Sequence, residues 1–515
     1  MKYRMIGFLV SALLLIKPAV AEEIRPSAST LIEDVTVISA HLDQALPNRD
    51  VLIRDGRILG ITGAGTTYPS HDKREGWRKE SRKINGRGKF LIPGLIDSHV
   101  HLGHNPMFDP DDSQAHKALR LRYKQQLPRS YLYHGFTSLI DLDFTPERNG
   151  WLPHSEPAPN VYHCGRGVRV AGGYGPSFVP PAIVHKVFPN MLYEAHHQAD
   201  WPTELPPADH TVEAVVQRVV QSGAVCLKTY VESGFGGIFN WSVPSPSTLA
   251  ALAKSTRKNG LVFVVHANGA EDWQRAIDGG ADVIAHGLWH WQGDRRKAEL
   301  TLAARAAIER AVEENVAVQP TLRVVEGEKS TLNWDMTLDE QMANVLLPDI
   351  MNYLRSQKAR WSQNVLLNLY DKHNPHPEFA PSDLIDVSIQ RARDSTMAFH
   401  HAGGALLFGS DTPAQDGIGN PPGLNGYLEM KSWAKAGIPL ATLFKSATLD
   451  NARAFKLDAD LGSIEIGKRA DLLLLNSDPL KSVEAYDDIV MVFINGMAVE
   501  RQALSARRLG DTSEK

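Results

Sequence analysis

The stretch that decides the fold is LIPGLIDSHVH, residues 91–101, in which an apolar run ends in the pair His99 and His101. Because side chains alternate across a strand, residues i and i+2 point the same way, so a strand here delivers two imidazoles to one spot. Two imidazoles on one face suit a transition metal. The alternative is a pair of structural histidines where a strand leaves the core. Residues elsewhere in the chain must distinguish the two interpretations.

Short apolar segments of the same kind recur along the middle of the chain, separated by predicted helices. Apolar residues at i, i+3, i+4 and i+7 mark such a helix at residues 440–447. Eight apolar strands joined by helices predict an α/β fold, a (β/α)8 TIM barrel. After the strand in residues 91–101, the predicted strands are residues 138–140, 161–163, 225–228, 261–266, 283–286, 316–321 and 405–411.

Both ends of the chain are predicted to be β-rich. Asp55-Gly56 and Asn495-Gly496 each stand between apolar runs, which is a hairpin signal. We expect residues 22–90 and 455–515 to build one small β-sandwich domain beside a barrel of residues 91–454. Residues 324–393 are too long for one strand-to-helix connection, so we interpret them as an insertion next to the seventh strand that could cover the site.

The N-terminus predicts export. Lys2 and Arg4 precede an apolar run, and Ala19-Val20-Ala21 supplies an A-x-A cleavage site, so residues 1–21 are interpreted as a signal peptide for the periplasm or secretion. The run is too short to span a bilayer, so no membrane span is expected after cleavage. Cleavage removes three of the 55 basic residues and none of the 59 acidic ones, which leaves a formal charge of −7. That balance excludes a basic nucleic-acid-binding surface.

Two cysteines are present, Cys164 and Cys226. They are too few for a disulfide framework. A single disulfide between them is an alternative, but we expect two buried thiols. Cys226 would lie on the same strand face as Lys228 and act as a small buried hydrophobe.

Polar residues at the C-terminal ends of barrel strands are the usual catalytic positions. The predicted strands one, four, five, six and eight each end in a side chain that can ligate a metal or carry charge. Each has a structural alternative: a solvated strand end, a buried core imidazole or a helix cap. Together they predict a metal centre at the barrel mouth. The candidates are His99, His101, Lys228, His266, His286 and Asp411.

Taken in order, these residues resemble the metal-binding pattern of the amidohydrolase superfamily. The resemblance covers nearly the whole chain after residue 21. It rests on Pro-Gly-Leu-Ile-Asp-x-His-x-His at 93–101, the lysine of the fourth strand, His266-Ala267, Ala285-His286-Gly287, Gly409-Ser410-Asp411 and the return to the small domain at 447–472.

The resemblance implies two divalent metal ions, usually zinc, bridged by Lys228 as a carbamate (a carboxylated lysine). His99, His101 and Asp411 would hold one ion, and His266 and His286 the other. Electrostatics favours the carbamate, because a free ammonium beside two cations would be repelled whereas an anion ligates them. A metal-bridging hydroxide would attack the substrate carbonyl, and the catalytic Asp411 would take its proton and return it to the leaving amine.

The spacing resembles the imidazolonepropionase-like branch that includes Xaa-Pro dipeptidases (prolidases), in which a tyrosine follows the strand-four lysine by two residues. Tyr230 fits; its phenol could bind a substrate carboxylate or simply pack the barrel rim. Arg166 and Tyr174 fall in a segment that resembles the strand-three loop of that branch, where Tyr174 replaces the usual histidine. A tyrosine hydroxyl still donates a hydrogen bond, with a different reach. Arg166, Tyr174 and Tyr230 are therefore the candidate substrate-binding residues.

The sequence thus predicts an exported hydrolase that cleaves an amide bond in a small carboxylate-bearing substrate, such as an Xaa-Pro dipeptide or an N-acyl amino acid. The nearest alternative is a one-metal deaminase or cyclic-amide hydrolase of the same superfamily, with Lys228 as a bystander; no catalytic acid follows His266 in residues 266–269. A second alternative is a non-catalytic secreted binding protein on a degenerate barrel. The oligomeric state stays open, including a homo-oligomer.

Overall fold

The computed structural model describes residues 29–104, 107–109, 116–145, 157–292, 294, 296–373, 378–414 and 416–510. The predicted signal peptide, residues 1–21, lies outside them. Within the described residues, no helix is both long enough and apolar enough to cross a bilayer.

Seventeen strands are formed by the described residues. In chain order they are β1 (Thr30–Val37), β2 (Leu46–Arg54), β3 (Arg57–Gly63), β4 (Arg82–Asn85), β5 (Phe90–Pro93), β6 (Leu95–Val100), β7 (Phe136–Asp141), β8 (Asn160–His163), β9 (Arg169–Val170), β10 (Met191–Leu192), β11 (Cys226–Tyr230), β12 (Val262–His266), β13 (Val283–Ala285), β14 (Ala317–Gln319), β15 (Leu472–Leu475), β16 (Ile489–Ile494) and β17 (Met497–Glu500).

The α-helices of the described residues lie mostly between those strands. They are α1 (Lys73–Glu80), α2 (Lys117–Tyr133), α3 (Pro181–Val187), α4 (Val212–Gln221), α5 (Pro246–Lys258), α6 (Ala270–Asp278), α7 (Leu302–Glu313), α8 (Arg323–Asn333), α9 (Asp339–Met342), α10 (Pro348–Leu354), α11 (Trp361–His373), α12 (Pro381–His401), α13 (Leu424–Ala436), α14 (Leu440–Lys445), α15 (Asn451–Ala454), α16 (Arg501–Leu504) and α17 (Arg507–Gly510).

The two ends of the chain come together in one mixed sheet of eight strands. Its order is β17-β16-β15-β5-β1-β2-β3, with β4 paired to β1. β15 pairs antiparallel with β5, so a strand near the C-terminus is hydrogen-bonded to one that directly precedes residue 95. We expected a β-sandwich. In the structure these strands are hydrogen-bonded into one sheet, which packs around an apolar cluster of its own.

The middle of the chain is a TIM-barrel-like α/β fold made of parallel strands and helices. β6, β7 and β8 form one parallel sheet, and β11 to β14 form another. Isolated parallel bridges lie between the two sheets: Val168, in the segment after β8, pairs with Thr229 of β11, and residues 405–412 pair with β6 and β14. The predicted eighth strand is therefore present only as single bridges, Leu406 with Val318 and Thr412 with Val100.

Alternation along β11 and β12 explains where the site lies. Cys226 and Val264 belong to the apolar cluster in the middle of the parallel strands, whereas Phe263 belongs to the larger cluster shared with the helices. Lys228 and His266 follow Cys226 and Val264 by two residues and so share their face. The apolar cluster thus forms a floor, and the two polar side chains stand above it.

The expectation of two free thiols was wrong, because Cys164 and Cys226 form a disulfide with a Cα–Cα distance of 4.2 Å. Both cysteines are fully buried. Cys164 comes just after β8 and Cys226 opens β11, two segments that lie side by side although 62 residues separate them. Spacing in sequence does not reveal such proximity, which is why the pairing was missed.

The disulfide should contribute strongly to stability. Closing a loop of this length gives about 4 kcal/mol in the chain-entropy model, so the Cys164→Ala/Cys226→Ala double variant is expected to lose about that much free energy of unfolding in urea denaturation. Val264→Ala, in the same apolar floor, measures the cost of a cavity without a lost cross-link. A double variant as stable as the parent would contradict this expectation.

Candidate metal centre

Three ligand atoms converge at the ends of the first and eighth strand segments. His99 Nε2 lies 3.1 Å and His101 Nε2 2.9 Å from Asp411 Oδ1. Despite these short distances, His99 Nε2 and Asp411 Oδ1 are buried without a partner in hydrogen-bonding geometry. Close approach without hydrogen-bond geometry suits donor atoms that share a cation, and the three residues form a group that could hold a metal ion.

The backbone around this triad is held in unusual conformations. Asp411 has φ 52° and His286 has φ 92°, which non-glycine residues rarely adopt. Asp97 ties the two segments together, since its Oδ1 accepts from the backbone N–H of Ser410 at 2.9 Å. At position 409 only glycine fits, because a Cβ there would lie 2.7 Å from the Cβ of His99.

Lys228, His266 and His286 complete the group predicted from the sequence. The His286 ring lies 5.0 Å from His99 and 4.5 Å from His266, centroid to centroid. Lys228 is among the largest fully buried side chains, and its Nζ has no hydrogen-bond partner. Burying an ammonium group without a partner costs free energy, so a further group beside this nitrogen would stabilise it.

Burial decides the protonation of most of these side chains. It lowers the pKa of His99 to about 3 and the pKa values of His266 and His286 well below the ordinary value, which leaves three neutral imidazoles with free lone pairs. Burial also lowers the pKa of Lys228 to about 7. Burial alone would raise the pKa of Asp411, but His99 and His101 hold it well below the usual range, so the carboxylate is ionised.

Glu232 is a site residue that we did not predict. It follows Tyr230 by two residues and is fully buried. Its Oε2 lies 3.4 Å from His266 Nε2, and its Oε1 accepts from the backbone N–H groups of Gly234 and Phe235. Burial raises its pKa. The spacing Lys228, Tyr230, Glu232 is a period-2 signal that could have identified it.

Two aspartates at the end of β7 were also missed. Asp141 Oδ2 accepts from the backbone N–H of Leu102, just after His101, and burial raises the pKa of Asp141 to about 6. Asp143 pairs with Arg169 at 2.9 Å. Asp141 is the last residue of β7, so its place at a strand end marks it as a candidate in the same way as Asp411.

The three predicted substrate-binding residues lie in different places. Tyr174 stacks on His266 with ring centroids 4.7 Å apart, and Tyr230 lies 5.6 Å from the same ring. Arg166 instead donates to Thr145 Oγ1 at 2.6 Å and to the Val187 carbonyl at 2.9 Å. The arginine over the Tyr230 ring is Arg169, with Cζ 3.8 Å from the centroid.

A cavity of about 340 Å³ opens directly from these candidate ligands. His266, His286 and Asp411 line one end of it. Much of the remaining wall comes from α8, α11 and α12, so the helices of the predicted insertion lie against the site. We call this cavity the chamber. Besides those three candidate ligands, its wall includes Tyr174, residues 235, 236, 238, 239 and 289–291, and side chains between residues 324 and 391.

Imidazoles, an ionised aspartate and a buried lysine at the ends of parallel strands define a metal-dependent hydrolytic centre. Residues 90–499 match the amidohydrolase family, so the chain belongs to that family and is a metal-dependent hydrolase that acts on carbon–nitrogen bonds. The resemblance seen in the motifs is thereby confirmed.

Solved structures share this fold at low identity. The chain is 19% identical to a Xaa-Pro dipeptidase with methionine bound in its active site, with a TM-score of 0.61 over 92% of this chain and 100% of that one. The ochratoxinase of A. niger is 17% identical, with a TM-score of 0.60 over 92% of this chain and 96% of that one. An adenine deaminase of Ruegeria pomeroyi is 32% identical over 78 residues, which is 15% of this chain and only 12% of that relative.

Proposed function

We propose that this protein is an exported amidohydrolase with two divalent metal ions, which cleaves an amide bond in a small carboxylate-bearing substrate. The observation that carries the proposal is the Lys228 amine, which is fully buried beside the histidines and Asp411 and has no hydrogen-bond partner. Loss of its proton removes the cost of burying a charge, and a modification or a ligand would also give the unpartnered nitrogen an interaction.

Carboxylation of Lys228 fits this environment. The low pKa of Lys228 leaves much of the amine unprotonated near neutral pH, and an unprotonated amine is the form that adds to carbon dioxide. The product is an anion with two oxygen ligands. His99, His101 and Asp411 would then hold one ion, His266 and His286 the other, and Lys228 would contact both.

The ions, when bound, would supply Lewis acidity and a water of lowered pKa. Asp411 would accept the proton of the attacking water and return it to the leaving nitrogen, because its carboxylate is ionised and reaches both histidines of the first strand. His286 donates to or accepts from Thr321 Oγ1 through Nδ1 at 2.9 Å, which fixes the orientation of its ring.

Two buried donors near the centre suit a substrate carboxylate. The Tyr230 hydroxyl and Arg169 Nε are both buried without a hydrogen-bond partner, although Arg169 also pairs with Asp143. Tyr230 packs against Arg169 and reaches toward His266. A carboxylate could satisfy both donors, so we assign its binding to Tyr230 and Arg169, with Tyr174 beside the reacting carbonyl.

The disulfide supports export. Disulfides persist in oxidising compartments and are rare in the cytosol, so the Cys164–Cys226 bridge agrees with the leader-like composition of residues 1–21. The proposed location is the periplasm or the medium, which fractionation and N-terminal sequencing of the mature protein would distinguish.

Metal counting and a substrate screen test the proposed function. We expect about two zinc ions per chain by mass spectrometry, hydrolysis of members of a dipeptide and N-acyl amino acid library, and loss of turnover on chelation with recovery on adding zinc. Absence of turnover across the library at full metal occupancy would instead support a non-catalytic binding protein.

Glu232 gives the one-metal alternative a specific basis, because it places an acid beside His266 where such a mechanism needs one. A deaminase or cyclic-amide hydrolase of this type would bind one ion and leave Lys228 as a bystander. The unpartnered Lys228 amine argues against it. One zinc per chain in the active protein would favour this alternative.

A further inference from the structure

The chamber is much larger than the polar centre needs. Its volume of about 340 Å³ lies in the range of pockets that enclose a whole small ligand. A proline ring or an alanine side chain would leave most of it unfilled, and a poorly filled apolar space contributes little to binding. The chamber therefore suits a substrate with a bulky group next to the reacting amide.

The chamber wall away from the metal ligands is mainly aromatic and aliphatic. Phe239 and the ring of His373 contact each other with centroids 4.9 Å apart, so the loop after β11 meets α11 on the far side of the chamber. Flat rings favour stacked or edge-on contacts with a planar guest. The apolar residues of this wall include Phe235, Phe239, Trp289, Trp291, Leu366 and Leu369.

One carboxyl group stands in this apolar wall. Glu328 on α8 lines the chamber, and its Oε1 accepts a hydrogen bond from the Tyr370 hydroxyl at 3.2 Å. Burial raises the pKa of Glu328 to about 7. Arg391, also in the wall, has its guanidinium directed to the carbonyls of Asp294 and Lys297 and over the Trp291 ring. Glu328 thus faces the chamber as an acceptor for a donor group on the guest.

We infer that the preferred substrates carry a bulky aromatic group, of about the size of a fused bicyclic ring, with a hydrogen-bond donor that meets Glu328. This inference rests on the proposed function, since it names the substrate class for the same site. It distinguishes this protein's substrates from small dipeptides, because the chamber extends from the strand ends to a wall formed by the loops after β11 and β13 and by the insertion helices.

Calorimetry on the zinc-loaded full-length protein tests the chamber without relying on turnover. The probes are 2-naphthylmethylamine, benzylamine, 2-naphthalenemethanol and its methyl ether, which lacks a donor. We expect the naphthyl amine to bind about tenfold or more tightly than benzylamine, and the alcohol to bind more tightly than the ether. Equal affinities across the four probes would overturn the inference.

Variants on α11 and α8 locate the binding. Leu366→Trp fills the chamber and should weaken naphthyl binding about tenfold or more, whereas Leu367→Trp, on the adjacent residue outside the chamber wall, should leave it unchanged. Glu328→Met, which has a similar size and no strong acceptor, should abolish the preference for the alcohol over the ether at unchanged zinc content. If Leu366→Trp and Leu367→Trp have equal effects, or if Glu328→Met keeps the preference for the alcohol, the inference fails.

Hydrolysis assays separate this inference from the proposed function. We expect N-(2-naphthoyl)-L-alanine or N-acetyl-3-(2-naphthyl)-L-alanine to exceed N-acetyl-L-alanine about tenfold or more in kcat/KM. Naphthyl binding without hydrolysis of any amide would overturn the proposed function and leave the chamber assignment intact. Hydrolysis of N-acetyl-L-alanine without naphthyl binding or a preference for naphthyl substrates would overturn the chamber assignment and leave the proposed function intact.

Discussion

Lys228→Ala is expected to lower kcat/KM by at least about a thousandfold and to reduce the zinc content from two ions per chain to one or fewer. The variant removes the side chain that would bridge the ions, and metal-based activation accounts for several kcal/mol of transition-state stabilisation. The free energy of unfolding should not fall in proportion, because the variant also removes a buried amine without a partner. Activity, zinc stoichiometry and urea denaturation measure the three effects.

A matched control and a rescue make the Lys228 result specific. Lys254→Ala on α5 removes a lysine whose side chain is exposed to solvent, and should change neither zinc content nor rate. Propionate, a short carboxylate, should partly restore activity to Lys228→Ala by occupying the gap as a ligand. Unchanged stoichiometry and activity in Lys228→Ala would remove the basis for a carboxylated lysine.

Asp411→Asn should lower kcat/KM by at least about a thousandfold while keeping the shape of the side chain. The amide cannot accept the proton of the attacking water, and it removes a negative charge that His99 and His101 approach within 3.1 Å and 2.9 Å. Zinc affinity should fall as well, because a neutral amide is a poorer ligand than a carboxylate. Rates measured at saturating zinc separate the loss of proton transfer from the loss of metal.

Asp458→Asn, at an exposed aspartate, controls for the loss of a negative charge and should behave like the parent protein. If Asp411→Asn retained a tenth or more of the parent kcat at full zinc occupancy, Asp411 would be neither the proton acceptor nor an essential ligand. Glu232, which lies beside His266, would then be the next candidate for proton transfer.

The position of a side chain along a strand could be predicted from the sequence. We predicted Lys228 and His266 at the site because each lies at the end of an apolar strand. The structure has both above the apolar floor, on the predicted face. The eighth strand was less regular than predicted, since residues 405–411 pair only through single bridges. The period-2 pattern could not reveal this, because the unusual φ of Asp411 breaks the strand at the site itself.

Errors arose where a role depends on a partner far away in sequence. Cys164 and Cys226 were expected as thiols, yet parallel packing of neighbouring segments brings them into a disulfide. Arg166 stays a predicted substrate residue, and it is Arg169, three residues later, that lies over the ring of Tyr230. The direction of each arginine is set by Thr145 and Asp143, whose positions only the folded chain defines.

The sequence by itself determined the family, the strand-end positions of the six candidate ligands and the expectation of a metal-dependent hydrolase. It could do so because alternation along a strand and the order of ligands along the chain are local properties. Only the tertiary structure decided the Cys164–Cys226 bridge, the approach of Glu232 to His266 and the aromatic chamber beneath α8, α11 and α12. These features are contacts between distant segments, and the shape of a cavity depends on how packed helices leave space, which no single segment encodes.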